Sequence, residues 1–114
     1  MTEGVKTILY PVKDLAKAKT LFTELLGVKP VADAPYYVGF DAGGQHIGLV
    51  PGGHDTGMTG PVAYWHVADI EKSKKALTDA GATVAEDIRQ VGGSRRVATL
   101  KDPDGNPIGL LQDG

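Results

Sequence analysis

An internal repeat is the feature that most constrains the fold of this chain. Five residues recur in the same order 55 positions later: Val12, Asp14, Lys17, Lys19 and Thr23 as Val67, Asp69, Lys72, Lys74 and Thr78. A second set recurs 61 positions later: Asp41, Gly44, Ile47, Gly48 and Leu49 as Asp102, Gly105, Ile108, Gly109 and Leu110. Two matches in the same order indicate a duplication, so the sequence predicts two similar modules of about 55 residues each.

Each module is predicted to contain one amphipathic helix and four strands. Apolar residues recur at helical spacing within 14–26 and 69–80, and each segment begins with an aspartate and is followed by a glycine. Alternating or apolar runs bounded by turn residues predict strands over 5–12, 28–32, 36–40 and 46–50, and then over 62–67, 83–89, 95–100 and 107–111. The expected class is therefore α+β, with two βαβββ units in tandem.

The domain boundaries follow from this pattern. We expect one domain over 1–114, with the first module at about 4–50 and the second at about 62–112. The linker over 51–61 contains four glycines and two prolines, which predicts a segment without regular secondary structure. Because neither module alone is long enough to bury much apolar surface, the two are expected to fold together.

Composition excludes several classes of protein. The 114 residues carry a net charge of −2, whereas non-specific nucleic-acid binders carry a basic excess, so no nucleic-acid partner is expected. No apolar run approaches 18 residues and the first residues do not resemble a signal peptide, so we expect no membrane association and a cytoplasmic location. The absence of cysteine excludes disulfides, thiolate metal sites and a cysteine nucleophile.

The start of each helix and the last turn carry a family resemblance. The segments are Val-Lys-Asp-Leu-Ala-Lys-Ala-Lys from Val12, Val-Ala-Asp-Ile-Glu-Lys-Ser-Lys from Val67, and Asp-Pro-Asp-Gly-Asn-Pro-Ile-Gly-Leu from Asp102. This pattern resembles the vicinal oxygen chelate superfamily, which includes glyoxalase I, fosfomycin-resistance proteins, extradiol dioxygenases and bleomycin-resistance proteins. The resemblance implies that a curved mixed sheet forms a cup, with the helices outside and a ligand inside, and that the chain forms a homodimer.

Strand alternation separates a helix-packing face from a pocket face in each predicted sheet. One face is uniformly apolar, as packing against a helix requires, and the other mixes histidine, tyrosine, threonine and glycine. A mixed face is typical of a ligand site rather than a sealed core. Tyr36 and Tyr37 alternate, so one of the two lies on this second face whichever register holds. The predicted ligand-binding residues there are Thr7, Leu9, Tyr37, His46, Gly48, Tyr64, His66, Gly109 and Leu111.

The resemblance also identifies the positions at which chelating members hold a metal ion. A histidine seven residues before the helix-starting aspartate and an acid or amide in the last strand of each module supply the ligands. Here these positions are Thr7, Val62, Gly48 and Gly109. None is a competent ligand of a divalent metal, so no metal and no cofactor are expected. The two glycines are expected to leave open space where the metal would lie.

Three functional hypotheses are compatible with the sequence. The first is a metal-independent protein of the glyoxalase/bleomycin-resistance type, which binds or sequesters an aromatic or oxygenated small molecule, an antibiotic among the candidates. The second is a glyoxalase-like lyase or isomerase that uses a pocket histidine as acid or base, with His66 as the first candidate and His46 as the second. The third is a structural dimer module with a vestigial cup. Trp65 falls on the helix-packing face and is expected in the core.

Overall fold

The computed structural model describes residues 2–114, which form two compact units. The N-terminal unit comprises residues 6–62, and the C-terminal unit comprises residues 63–114 with the first residues of the first strand. The elements are β1 (Thr2–Pro11), α1 (Leu15–Leu26), β2 (Ala32–Ala34), β3 (Tyr37–Ala42), β4 (Gln45–Val50), β5 (Val62–Val67), α2 (Ile70–Asp79), β6 (Thr83–Val91), β7 (Arg95–Lys101) and β8 (Pro107–Gln112). The predicted α+β class and the repeated βαβββ order are confirmed.

Both units build a mixed sheet in the same way. In the N-terminal unit the strand order is β2-β3-β4-β1, and β1 and β4 are parallel. In the C-terminal unit the order is β5-β8-β7-β6, and β5 and β8 are parallel. The other pairs within each unit are antiparallel. The last strand of each module therefore lies beside the strand that precedes its helix, and the long connection through the helix allows the two strands to run parallel.

Helix α1 begins and ends where the sequence predicts. The carboxylate of Asp14 accepts a hydrogen bond of 3.0 Å from the amide of Lys17, which satisfies an amide that has no partner inside the helix. Gly27 has φ +69°, and its amide donates to the carbonyl of Thr23. The helix packs on an apolar cluster formed by alternate residues of β3 and β4: Val38, Phe40, Ile47 and Leu49.

Helix α2 begins after the equivalent aspartate, Asp69. Asp69 accepts a 3.0 Å hydrogen bond from the amide of Lys72, and Ile70 at the first turn is fully buried. The helix covers a cluster that also contains Val67, Ala98, Leu100 and Leu110. The expectation that Trp65 lies in this core is wrong, since its side chain is 40% exposed. The reason is that α2 packs on β6, β7 and β8, and leaves this part of β5 uncovered.

Two further segments differ from the prediction. Strand β2 starts at Ala32 rather than at position 28, because Pro30 lacks an amide hydrogen and restricts the residue before it. The linker is not free of secondary structure, since Gly53–Thr56 form a 3-10 helix. The carbonyl of Gly53 accepts hydrogen bonds from the amide of Met58 and the hydroxyl of Thr56. The buried Gly53 fits there because a Cβ would lie 2.8 Å from Pro11 Cβ.

Candidate functional site

The helix-free face of the N-terminal unit brings together its predicted pocket residues. In one row across the sheet Thr7 pairs with His46, which pairs in turn with Asp41 on β3. In the next row Leu9 pairs with Gly48, and Gly48 pairs with Gly39. Because the neighbours of these residues along β3 and β4 belong to the cluster under α1, the paired residues themselves face away from the helix. Five predicted residues share this face: Thr7, Leu9, Tyr37, His46 and Gly48.

His46 is held on both of its ring nitrogens. Its Nδ1 atom lies 2.7 Å from Oδ1 of Asp41, and its Nε2 atom lies 2.6 Å from the hydroxyl oxygen of Tyr37. The rings of Tyr37 and His46 are also nearly parallel, with an interplanar angle of 13° and centroids 6.0 Å apart. Asp41 is exposed, whereas about a fifth of the His46 side chain is accessible. A carboxylate, an imidazole and a phenol therefore form one continuous chain of hydrogen bonds.

Two glycines provide the space for this chain. A Cβ on Gly39 would lie 2.7 Å from Cε1 of His46 and 2.9 Å from Cε2 of Tyr37. A Cβ on Gly48 would overlap the hydroxyl oxygen of Tyr37 and lie 2.5 Å from Cδ2 of Leu9. The expectation that Gly48 leaves open space is therefore wrong. The missing side chain is the reason that the ring of Tyr37 can cross the sheet to His46.

The C-terminal unit repeats the pairing of a tyrosine with a glycine. Tyr64 on β5 lies beside Gly109 on β8, and a Cβ on Gly109 would lie 2.6 Å from Cδ1 of Tyr64. Space at Gly109 is thus also filled by an aromatic ring, and the expectation of an opening there is wrong as well. The Tyr64 hydroxyl hydrogen-bonds to Thr99, and its side chain is buried. Burial raises the pKa of Tyr64 more than the hydrogen bond to Thr99 lowers it, so the phenol stays protonated.

His66 lies two residues further along β5, on the same face. Its Nδ1 atom is 3.7 Å from Oδ2 of Asp113, whose Oδ1 atom accepts a 2.7 Å hydrogen bond from Nε of Arg95. The backbone carbonyl of His66 accepts a hydrogen bond from the Thr2 hydroxyl. His66 pairs with Leu111, which is buried. This histidine therefore contacts its carboxylate more loosely than His46 does.

The residues at the implied metal positions do not fit a metal ion. Gly48 and Gly109 carry no donor atom and lie under tyrosine rings, and Val62 is a buried hydrocarbon. Thr7 is buried and offers one neutral hydroxyl, whereas divalent sites use several imidazole or carboxylate ligands. Within residues 2–114 no group of three or more histidine, aspartate or glutamate side chains is arranged to hold a metal.

Asp41 and Gly39 belong to the site but are not among the residues predicted from the sequence. The signal was available, because Gly43 and Gly44 mark a hairpin turn in the sequence. Counting outward from that turn pairs Ala42 with Gln45 and then Asp41 with His46, which is the register that the structure has. Asp113 gave no such signal, since it lies beyond the last predicted strand.

Comparison with known families identifies the superfamily of this chain. A profile of the Glyoxalase/Bleomycin resistance protein/Dioxygenase superfamily matches residues 4–110. The protein therefore belongs to this superfamily, as the resemblance of its repeated motifs suggested. A comparison with curated proteins gives no match. Neither helix among residues 2–114 has the length and apolar character that crossing a membrane requires.

Solved structures with the same fold span several activities. Methylmalonyl-CoA epimerase from Mycobacterium tuberculosis is 17% identical, with a TM-score of 0.78 over 99% of this chain and 89% of that chain. A superfamily member from Vibrio splendidus 12B01 is 17% identical, with a TM-score of 0.69 over 95% of this chain and 97% of that one. The Mn(II)-bound glyoxalase from Novosphingobium aromaticivorans is 17% identical, with a TM-score of 0.73 over 98% of this chain and 39% of that chain. At these identities the likeness establishes the fold alone.

Proposed function

We propose that this protein is a metal-independent small-molecule-binding member of its superfamily, of the bleomycin-resistance type. Its ligand is an aromatic or oxygenated compound, bound on a helix-free sheet face. The observation that carries the proposal is a pair of contacts: the ring of Tyr37 lies over Gly48, and the ring of Tyr64 lies against Gly109. At two positions where chelating members carry metal ligands, this chain has glycines, and aromatic rings lie over them.

The chemistry of the residues on these faces supports this ligand class. Tyrosine and histidine rings offer flat apolar surface together with hydrogen-bonding groups, which is the usual composition of a small-molecule site. The rings of Tyr37 and His46 lie almost in one plane, at an interplanar angle of 13°, and the 2.6 Å hydrogen bond joins them edge to edge. An aromatic ligand can lie on this flat surface, and an oxygenated ligand can hydrogen-bond to the Tyr37 hydroxyl.

A thermal-shift screen with matched variants tests binding. The panel contains aromatic natural products, glycopeptide-type antibiotics and adducts of dicarbonyl compounds. A ligand at a hundredfold excess over its Kd stabilises the folded state by about 2.7 kcal/mol, which raises the melting temperature by about 10 °C. Tyr37→Phe is expected to weaken the response, whereas Tyr36→Phe is the matched control because Tyr36 is 77% exposed. No response to any compound class would favour a structural module with a vestigial site.

Metal analysis tests whether the protein is independent of metal, as proposed. Protein purified without chelators is expected to contain far less than one zinc, nickel, manganese or iron ion per chain. The same measurement on His66→Ala provides the control, because this substitution removes one imidazole from the C-terminal unit. Stoichiometric metal in the wild type that is lost in the variant would overturn metal-independent binding.

The lyase or isomerase hypothesis has one specific observation in its favour. The Nδ1 atom of His46 is oriented by Asp41 at 2.7 Å, which is the arrangement that positions a histidine for acid-base chemistry. His66 contacts Asp113 at 3.7 Å and is the weaker candidate. Turnover of a dicarbonyl adduct that is abolished by His46→Gln in metal-depleted protein would establish this alternative.

Two further expectations complete the proposal. We infer that the protein is cytoplasmic, and that it forms a homodimer, as its resemblance to the superfamily implies. Large apolar side chains at the surface of the N-terminal unit support association, since monomers rarely expose extended apolar patches. They are Leu21, Leu25, Val31 and Tyr36.

A further inference from the structure

We propose that Tyr37, His46 and Asp41 form a proton relay that selects ligands with an acidic hydroxyl group, namely phenols or enols, and binds them as anions. This inference rests on the proposed small-molecule binding and adds the ligand class and the roles of the three residues. Tyr37 is the residue that contacts the ligand. Asp41 acts only through His46 and is a positioning residue.

The hydrogen-bond donors of the relay follow from what each group can do. An ionised aspartate only accepts hydrogen bonds, so the 2.7 Å contact requires that Nδ1 of His46 carries a hydrogen. In a neutral imidazole Nε2 is then the acceptor, and the Tyr37 hydroxyl at 2.6 Å donates to it. Because this hydrogen is engaged by His46, the Tyr37 oxygen meets a ligand as a hydrogen-bond acceptor. A ligand that donates an O–H matches this oxygen, whereas a ligand that only accepts does not.

The same chain allows the proton of the ligand to move inward. The O–H bond of the ligand breaks as a new Oη–H bond forms on Tyr37, while the original Oη–H bond of Tyr37 breaks as Nε2–H forms on His46. The products are a ligand anion, a neutral Tyr37 and a His46 imidazolium whose positive charge lies beside the carboxylate of Asp41. No oxidant or other reactant is needed, and the step reverses when the ligand leaves.

The duplication allows the hydrogen-bond partners of Asp41 to be compared with those of its counterpart in the second module. Its counterpart 61 positions later, Asp102, accepts hydrogen bonds from the amides of Asp104 and Asn106 and from the side chain of Asn106. That carboxylate is engaged by its own turn. In the first module the turn is Ala-Gly-Gly-Gln, and the carboxylate of Asp41 contacts His46 instead. The same aspartate therefore has different hydrogen-bond partners in the two copies, since position 46 is histidine and its counterpart 107 is proline.

The glycine pair makes the relay geometrically possible. Tyr37 and His46 are on neighbouring strands but not directly opposite each other, and the phenol ring reaches the imidazole across Gly39 and Gly48. Any larger residue at Gly48 would overlap the Tyr37 hydroxyl. The absence of a side chain at these two positions allows the contact between Tyr37 and His46.

A coloured phenol provides a direct test. The probe is 4-nitrophenol, whose anion is yellow, and 4-nitroanisole is the matched compound without the hydroxyl. At a pH at which the free phenol is mostly protonated, wild-type protein is expected to bind 4-nitrophenol at least about tenfold more tightly than 4-nitroanisole, and to turn it yellow. Tyr37→Phe and His46→Gln are expected to abolish the colour, and Asp41→Asn to reduce it. Tyr36→Phe is the control that leaves it unchanged.

The results separate this inference from the proposed function. Equal binding of the two compounds, or binding of 4-nitrophenol without colour, would overturn the relay and leave small-molecule binding intact. Failure of 4-nitrophenol to bind at all would overturn the assignment of the ligand class. Stoichiometric metal in the purified protein would instead overturn the proposed function.

The role of Asp41 has a readout that needs no ligand. Nitrogen-15 chemical shifts distinguish a protonated ring nitrogen from an unprotonated one. The wild type is expected to show a protonated Nδ1 and an unprotonated Nε2 on His46, and Asp41→Asn to lose this preference while the fold is unchanged. Asp55→Asn, an exposed carboxylate elsewhere in the N-terminal unit, is the control. An unchanged tautomer in Asp41→Asn would overturn the positioning role.

Discussion

Gly48 lies directly beneath the hydroxyl group of Tyr37, so a methyl group at Gly48 would overlap the phenolic oxygen. The relationship joins β4 to the first residue of β3 and fixes where the tyrosine ring can go. With the ring in this position, its hydroxyl meets Nε2 of His46 at 2.6 Å. A residue that has no side chain thus determines the geometry of the most polar contact on this face.

Substitution of Gly48 by alanine is expected to destabilise the fold and to separate Tyr37 from His46. The added Cβ would also lie 2.5 Å from Cδ2 of Leu9, so two side chains must move. Overpacking of this kind costs about 1–3 kcal/mol of unfolding free energy. Urea denaturation measures the loss, and Gly60→Ala is the control because a Cβ there would have no neighbour within 4 Å.

The double variant Tyr37→Ala/Gly48→Ala identifies the cause of that loss. With the ring removed, the cost of Gly48→Ala is expected to shrink, although the contact with Leu9 remains. The same cost in both backgrounds would show that Tyr37 does not lie over Gly48 in solution.

Tyr64 is expected to make stability fall at alkaline pH. Burial raises the pKa of its phenol, so the folded state holds the proton more tightly than the unfolded state. This contribution is fully present below the ordinary tyrosine pKa of about 10 and is lost as the pH rises above it. Tyr64→Phe removes the effect, and at neutral pH it costs about 0.5–1.5 kcal/mol because the hydrogen bond to Thr99 is lost.

The measurement for Tyr64 is the free energy of unfolding as a function of pH. The wild type is expected to lose stability faster than Tyr64→Phe above about pH 10. Tyr36→Phe, at a residue that is 77% exposed, is expected to keep the wild-type profile. Parallel profiles for wild type and Tyr64→Phe would show that the phenol is not buried.

Local sequence signals were sufficient to predict most of the fold. Asp14 and Asp69 begin their helices by accepting hydrogen bonds from the amides of Lys17 and Lys72, contacts that depend on residues three apart. The repeat then supplied the long-range information, because two copies of one pattern require the same strand order twice. Prediction failed at Trp65, since the extent of a helix's cover over a sheet depends on packing that no local pattern encodes.

The site was predicted less completely than the fold, for a physical reason. Alternation along a strand indicates that either Tyr36 or Tyr37 lies on the same face as His46, and in the structure it is Tyr37. It does not say how far a side chain reaches across its neighbours. The glycines were therefore interpreted as open space, whereas the ring of Tyr37 lies across Gly48 and the ring of Tyr64 lies against Gly109. Side-chain rotamers decide between an opening and a filled space, and they depend on the three-dimensional surroundings.

Asp102 is expected to stabilise the turn before β8 in its ionised form. Hydrogen bonds from the side chain and amide of Asn106 hold the pKa of this exposed carboxyl below its ordinary value. The stabilisation is present above the unfolded aspartate pKa of about 3.9 and is lost as the pH falls through the lower folded value. Asp102→Ala should therefore melt at a lower temperature than wild type at pH 7, and the difference should narrow in acid. Asp104→Ala in the same turn is the control, and a difference that does not change with pH would contradict the role of the charge.

Leu25 is expected to contribute to self-association of the chain. It is 69% exposed and lies one helical turn after Leu21, which is 61% exposed, so that α1 presents two large apolar side chains on one side. Burial of such side chains against a second copy would be favourable by roughly 25 cal/mol per Å² of apolar surface removed from water.

Light scattering is expected to give twice the chain mass of 11.9 kDa for the wild type and a smaller mass for Leu25→Lys at the same concentration. Val84→Lys, at an exposed apolar residue of the C-terminal unit, is the control. Because Leu25 is exposed, its substitution should change stability by less than about 0.5 kcal/mol, so a lower mass would reflect association rather than unfolding. A wild type that stays monomeric at all concentrations would contradict the homodimer.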